Sequence, residues 1–121
     1  MDDNNILVTI KKMIGLSPDD DSFDTDLVID INSVLTILYQ LGVSELDGID
    51  EITKDTTWTE CFSSDISPKA LNAIKTYIYL KVRKLFDPPQ SSTTIESLNS
   101  LISEYEWRIN ALVDPAFEIR I

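Results

Sequence analysis

Residues 67–113 read SPKALNAIKTYIYLKVRKLFDPPQSSTTIESLNSLISEYEWRINALV, and this stretch predicts a long helical hairpin. Ser67-Pro68 is typical of a helix start. The serine side chain can accept from a free backbone N–H, and proline lacks only an N–H that would have no helical partner. The apolar residues that follow recur at steps of three and four, which places them on one helix face: Leu71, Ile74, Ile78, Val82 and Leu85.

The corner of this hairpin is predicted at Phe86-Asp87-Pro88-Pro89, because a proline disfavours helical geometry in the residue before it. Thr93 and Glu96 have the spacing of a capping box, so we expect the second helix to begin there. The apolar residues of that helix form a stripe with helical spacing, which would lie along the first helix: Ile95, Leu98, Ile102, Tyr105, Ile109 and Leu112. Trp107 lies off this stripe, which suggests a second apolar face.

Two further helices are predicted before the hairpin. The first is capped by one of Asn4-Asn5 and closed by Gly15, in the position that glycine commonly takes after a helix. The second is capped by one of Asp24-Thr25 and closed by Gly42. Its apolar residues again have helical spacing: Leu27, Ile31, Val34, Leu35, Leu38 and Leu41.

A short helical turn is predicted between the second helix and the hairpin. Thr57 and Glu60 have capping-box spacing, and the turn they open holds Trp58 and Phe62. Residues 43–56 have no clean period. The fold class is therefore all-α, with four main helices, one short turn and a long C-terminal hairpin.

After residue 114 the pattern changes. Phe117, Ile119 and Ile121 alternate with charged residues, as in a short strand, although a helical domain offers no obvious strand partner. We therefore divide the chain into one helical domain, residues 1–114, and an extended tail, residues 115–121.

Composition favours an ordered globule, because 43% of the 121 residues are hydrophobic and only three are glycine. The single cysteine, Cys61, has no internal disulfide partner and is expected as a buried free thiol. No apolar run approaches the roughly 18 residues that a membrane span requires. The acidic start Met1-Asp2-Asp3 is the reverse of a secretory signal, so we expect a soluble protein made inside the cell.

Charge is divided unevenly along the chain. Residues 1–65 carry a net charge of 3 − 15 = −12, and residues 66–121 carry 7 − 6 = +1, which together give −11. A DNA-binding protein usually has a net basic face, because phosphate contacts supply most non-specific affinity. The acidic half would instead repel DNA, as a conduit for sliding DNA requires, or it keeps the free subunit soluble.

The sequence offers little for catalysis. There is no histidine, and the three glycines are too far apart for a phosphate loop. The only candidate metal site is the carboxylate cluster Asp19, Asp20, Asp21, Asp24 and Asp26. Read as a calcium loop from Asp20, it has Thr25 in place of glycine and Ile31 in place of glutamate. Helix capping and solvation explain these aspartates better. We expect no enzyme, no cofactor and no metal site.

Several segments together resemble the head–tail connector (adaptor) family of tailed bacteriophages. The longest is KTYIYLKVRKLFDPP at 75–89, followed by SEYEWRIN at 103–110. Upstream, SFDTD at 22–26 leads into INSV at 31–34 and QLGV at 40–43, and TWTECF stands at 57–62. The resemblance covers nearly the whole chain in order, although no segment is a chemical signature.

This resemblance implies a structural protein of the virion, located at the head–tail junction after assembly in the host cytoplasm. Copies would form a ring under the portal protein, dodecameric like the portal, and DNA would pass through its channel without sequence-specific binding. The ring would also dock the next neck or tail completion protein. No membrane is involved.

Three features are candidates for the contacts of such a ring. The corner Phe86-Asp87-Pro88-Pro89 is rigid, because each proline fixes its own backbone angle. Trp107 provides an apolar side chain away from the main stripe. The tail residues Phe117, Ile119 and Ile121 can add as a strand to a neighbouring protein. The basic residues Lys75, Lys81, Arg83 and Lys84 form either a solvated face or a contact to a neighbour's acidic half.

A different class of function is also compatible with the sequence. A small acidic helical domain could regulate a basic protein partner by binding it through residues 1–65. Such a domain would be a monomer whose binding weakens with salt, whereas a connector would form a closed ring or assemble on portals.

Overall fold

The computed structural model describes residues 4–43, 51–62 and 66–113. These ranges contain α1 (Ile6–Met13), α2 (Asp24–Gln40), α3 (Trp58–Cys61), α4 (Pro68–Phe86) and α5 (Ser92–Val113). The predicted all-α class is confirmed, with four main helices, one short helical turn and a C-terminal hairpin. Within the same ranges, an isolated antiparallel bridge pairs Asn5 with Thr57. The predicted tail, residues 115–121, lies outside the described residues.

Helix α4 is the central element, because it packs against α1, α2 and α5. Its start is as predicted, with the Ser67 hydroxyl accepting from the Ala70 N–H at 3.1 Å. The predicted face is buried at Ile74, Ile78 and Val82. A helix with neighbours on several sides buries more than one stripe, so Tyr77 and Leu80, which the single-face pattern missed, are buried too.

Two leucines predicted in the core are exposed instead. Leu85, in the last turn of α4, is 54% exposed, and Leu112, in the last turn of α5, is 47% exposed. Each lines an open groove at one end of the hairpin, where the neighbouring helix leaves its side chain uncovered. Helical spacing gives the direction of a side chain but not the extent of the partner that covers it.

The hairpin's second helix begins earlier than predicted. Helix α5 starts at Ser92, and the Ser91 hydroxyl accepts from the Thr94 N–H at 3.1 Å. Ser91 therefore provides the capping side chain, and the predicted cap at Thr93 is wrong. Serine and threonine are both favoured N-cap residues, and the capping-box spacing to Glu96 pointed to Thr93 instead of Ser91. The stripe of α5 is buried at Leu98, Ile102 and Ile109.

A buried polar contact ties α4 to α5. The Tyr77 hydroxyl donates to Glu106 Oε2 at 2.7 Å, and the Tyr77 side chain is fully buried. Burial, together with this hydrogen bond to a carboxylate, raises the pKa of the Tyr77 phenol well above its usual range.

At the start of α1, the predicted cap is confirmed at Asn5, whose side-chain oxygen accepts from the Val8 N–H at 2.9 Å. Gly15, with φ 89°, follows α1, and Gly42, with φ 104°, follows α2. Both lie in the left-handed region that favours glycine after a helix.

The predicted cap of α2 at Asp24-Thr25 is wrong, because Asp24 is already helical and Phe23 precedes it without a capping side chain.

The turn α3 is held against α1. Its capping box is as predicted, with the Glu60 N–H donating to Thr57 Oγ1 at 3.1 Å and the Thr57 N–H donating to Glu60 Oε1 at 2.9 Å. The Trp58 N–H donates to the Asn4 carbonyl at 2.7 Å, and its indole N–H donates to Thr9 Oγ1 at 3.1 Å. Trp58, predicted to be held by this turn, is buried.

Candidate assembly interface

The corner of the hairpin is a defined structural feature. Helix α4 ends at Phe86, and the Asp87 N–H donates to the Arg83 carbonyl at 2.9 Å. Asp87 and Pro88 are exposed, whereas Phe86 and Pro89 are half-buried. The two prolines restrict the backbone, so this corner keeps its shape when another molecule docks on it.

Phe86 packs against a second aromatic ring at this corner. Its ring meets the ring of Phe23 edge to face, with centroids 5.1 Å apart. Phe23 immediately precedes α2, so this aromatic pair fixes the start of α2 against the end of α4. Edge-to-face pairs of this kind contribute about 1 kcal/mol beyond the area they bury.

The two helix ends enclose a groove of about 380 Å³, which we call the acidic groove. Two of its apolar side chains are more than half exposed, Ile29 at 58% and Leu85 at 54%. Partial burial raises the pKa of Asp30 above its usual range, and the nearby charge of Asp26 adds to this effect. The lining residues are Phe23, Asp26, Ile29, Asp30, Leu85 and Phe86.

A second groove of about 340 Å³ lies at the opposite end of the hairpin, between the start of α4 and the end of α5. We call it the basic groove. Lys69 and Arg108 supply its charge, and Arg108 donates to Glu104 Oε1 at 2.8 Å while lying 5.3 Å from the Tyr105 ring centre. The lining residues are Lys69, Asn72, Ala73, Thr76, Tyr105, Arg108 and Leu112.

Trp107, the one further predicted contact residue that the structure describes, lies away from the corner. Trp107 is 53% exposed on α5, fifteen positions after Ser92, which is about 22 Å along the helix. It lies on the side of α5 away from the buried stripe. Phe117, Ile119 and Ile121 lie outside the described residues. Among the predicted contacts within the described residues, Trp107 is therefore separate from the four corner residues.

Sequence reasoning missed most of the acidic groove. Ile29 falls between the buried positions Leu27 and Ile31 of α2, so its outward direction could have been noticed as an apolar residue off the stripe. Phe23 lies before the helix, where no periodicity applies. Leu85 fits the α4 stripe, and only the tertiary arrangement leaves it uncovered.

The acidic segment at residues 19–26 is organised by its own hydrogen bonds. Asp20 Oδ1 accepts from the Ser22 N–H at 3.0 Å, and this bond lowers the pKa of Asp20 below its usual range. Asp24 instead pairs with Lys11, with Nζ and Oδ1 2.8 Å apart. Across the described ranges, no group of three acidic or cysteine side chains is placed to hold a metal ion.

Cys61 is fully buried, as predicted. Burial raises the pKa of its thiol to about 11, so the nucleophilic thiolate is scarce near neutral pH.

The two grooves provide apolar contact area, fixed backbone and charge, which are the properties of binding surfaces.

In the part of the chain that the structure describes, no helix is long and apolar enough to cross a membrane. Comparison with known families gives one informative result: residues 6–116 match a family model described as phage connector protein. Neither the curated proteins nor the solved structures include a match to this chain.

Proposed function

This chain belongs to the phage connector protein family, and we propose that it is a head–tail connector whose copies form a ring on the portal protein of a tailed phage. The ring extends the DNA channel and offers a docking surface to the next neck or tail component. Its activity is the formation of interfaces, and the proposal assigns it no catalytic step.

The observation that carries this proposal is the exposed apolar surface beside a rigid corner. Phe23, Ile29 and Leu85 are each between 39% and 58% exposed within one groove. Scattered exposed apolar residues are ordinary on a soluble protein, but a group of them in a concave site is typical of a protein interface. The neighbouring prolines reduce the ordering entropy that docking costs.

The charge distribution supports a channel through which DNA passes without being bound. Residues 1–65 carry a net charge of −12. If this half lines the channel, it repels the phosphate backbone and lets DNA slide.

We include the tail, residues 115–121, in the proposal as a segment that contacts the portal or an adjacent copy.

The proposal is tested by mixing the purified protein with purified portal of the same phage. Negative-stain electron microscopy and sedimentation velocity then report whether a ring adds to the portal. We expect a closed ring with the rotational symmetry of the portal. A protein that stays monomeric with portal present, and binds basic proteins in a salt-sensitive way, would instead support the regulatory alternative.

A matched pair of variants on α2 localises the contact. Ile29→Ser removes an exposed apolar side chain from the acidic groove, whereas Tyr39→Ser removes one that is 68% exposed elsewhere on the same helix. We expect Ile29→Ser to weaken assembly at least about tenfold, as loss of an interface anchor does, and Tyr39→Ser to have little effect. Equal behaviour of the two variants would place the contact away from the groove.

A further inference from the structure

We propose that the acidic groove of one copy docks against the basic groove of the next copy, and that this contact closes the ring. The inference rests on the proposed function, because it assumes that copies of the chain assemble. The occupant of each groove is thus a second copy of this chain, presented by its opposite end.

The positions of the two grooves meet the geometric requirement of a ring. A head-to-tail interface needs two different patches on each subunit, separated so that neighbours continue in one direction. Lys69 and Leu85 stand sixteen positions apart on α4, or about 24 Å along its axis. The acidic groove lies between α4 and α2, whereas the basic groove lies between α4 and α5. The patches are therefore at opposite ends of α4 and on different sides of it.

The charges of the two grooves are complementary. Asp26 and Asp30 line one groove, and Lys69 and Arg108 line the other. Glu104 offsets part of the Arg108 charge, since the two are 2.8 Å apart, but both side chains are about half exposed and this pair can rearrange. Opposite charges favour contact between unlike grooves, and like charges oppose contact between two copies of the same groove. The pattern thus selects a head-to-tail arrangement over a two-fold dimer.

Both grooves also contain apolar side chains that a contact would cover. Ile29 and Leu85 are more than half exposed in the acidic groove, and Leu112 is 47% exposed in the basic groove, beside the half-buried Tyr105. Leu85 and Leu112 continue core stripes in sequence yet remain uncovered in a single subunit. Docking one groove onto the other would bury both leucines, which supplies the hydrophobic part of the binding free energy.

The test uses reciprocal charge reversal in the full chain. One variant carries Asp26→Lys and Asp30→Lys, a second carries Lys69→Glu and Arg108→Glu, and a third carries all four substitutions. The matched control is Asp19→Lys with Asp21→Lys, which reverses two exposed aspartates outside the acidic groove. Circular dichroism establishes that each variant is folded, and assembly alone and on portal is measured by sedimentation velocity and electron microscopy.

In either two-substitution variant, like charges face each other across the contact. We therefore expect the dissociation constant for assembly to rise about a hundredfold or more. The four-substitution variant should recover assembly, and a mixture of the two defective variants should form rings with alternating subunits. Recovery also rules out misfolding as the cause of the loss. The control should assemble as the wild type does.

The outcomes separate this inference from the proposed function. If the wild type assembles and the charge reversals leave assembly unchanged, or if the four-substitution variant and the mixture both fail, the groove-to-groove contact is wrong while the connector function stands. If the wild type forms no ring either alone or on portal, the proposed function fails and the inference fails with it.

Discussion

Lys11 is a buried charged residue that holds the segment between α1 and α2 in place, a role that its local sequence does not reveal. Its side chain is only 2% exposed, and its ammonium group donates to Asp24 Oδ1 at 2.8 Å and to the Pro18 carbonyl at 3.1 Å. A buried charge needs such partners, because desolvation otherwise disfavours it strongly. Lys11 thereby fixes the segment between α1 and α2 from one position near the end of α1.

At the same scale, Cys61 is expected to be unreactive in the folded protein. A rise in the thiol pKa from 9.0 to about 11 reduces the thiolate fraction at pH 8 about a hundredfold. Reaction with a disulfide reagent should therefore be at least that much slower in buffer than in strong denaturant, where Cys61 is exposed. Similar rates in the two conditions would mean that Cys61 is accessible.

The same shift gives stability a pH dependence with a definite sign. The folded-state thiol pKa is the higher one, so the unfolded chain releases the Cys61 proton first. The stabilising contribution is complete below about pH 9 and is lost as pH rises towards about 11. Denaturant midpoints of the wild type should fall across this range, and a Cys61→Ala variant should show a smaller fall.

At the scale of the element, the start of α5 can be located by two matched substitutions. Ser91→Ala removes the hydroxyl that accepts from the Thr94 N–H, and such losses typically cost about 1 kcal/mol. Thr93→Ala, the cap that spacing favoured, should change the free energy of unfolding by less than about 0.5 kcal/mol, as surface substitutions do. Urea denaturation followed by circular dichroism measures both. The reverse ranking would restore the Thr93 cap.

The packing of the hairpin provides a stronger test of the element faces. Ile78 on α4 is fully buried and Ile102 on α5 is 6% exposed, so replacement of either by alanine should cost roughly 2–5 kcal/mol. Leu101→Ala, at a 43% exposed neighbour of Ile102, is the control and should cost less than about 1 kcal/mol. Losses below about 1 kcal/mol at both isoleucines would show that these faces are not core.

Sequence reasoning succeeded mainly where local chemistry decides the outcome, although it placed the caps of α2 and α5 at the wrong residues. The helix start at Ser67-Pro68, the corner at Asp87-Pro88-Pro89 and the capping box at Thr57 depend on residues within a few positions of each other. It failed where the answer depends on a distant element. Tyr77 is buried because α4 is central, and Leu85 is exposed because none of the described helices covers the acidic groove. No pattern within one helix contains that information.

At the scale of the whole molecule, the acidic half predicts weak interaction with DNA. Residues 1–65 carry a net charge of −12, which opposes the contacts that neutralise phosphates. We expect no appreciable binding of the free subunit to duplex DNA near 150 mM salt, the usual approximate physiological range. A fluorescence anisotropy titration measures this. Tight binding under these conditions would contradict the view of the acidic half as a non-adhesive channel wall.

The tail tests whether the helical domain and the assembly function can be separated. The described part of the chain ends its last helix at Val113, so deletion of residues 115–121 leaves all the described helical turns in place. We therefore expect unchanged helix content and a nearly unchanged melting temperature, by circular dichroism and thermal denaturation. Incorporation into portal complexes should be lost, because alternating Phe117, Ile119 and Ile121 can add as a strand to a neighbouring protein.

Two other outcomes have distinct meanings. If the truncated chain unfolds, the tail belongs to the core of the subunit and the domain boundary at residue 114 is wrong. If it folds and still joins the portal as the full chain does, the tail is dispensable and the interface lies elsewhere, as the acidic and basic grooves predict. Combining the deletion with Ile29→Ser then asks whether the tail and the acidic groove act independently, since independent sites give additive losses of binding free energy.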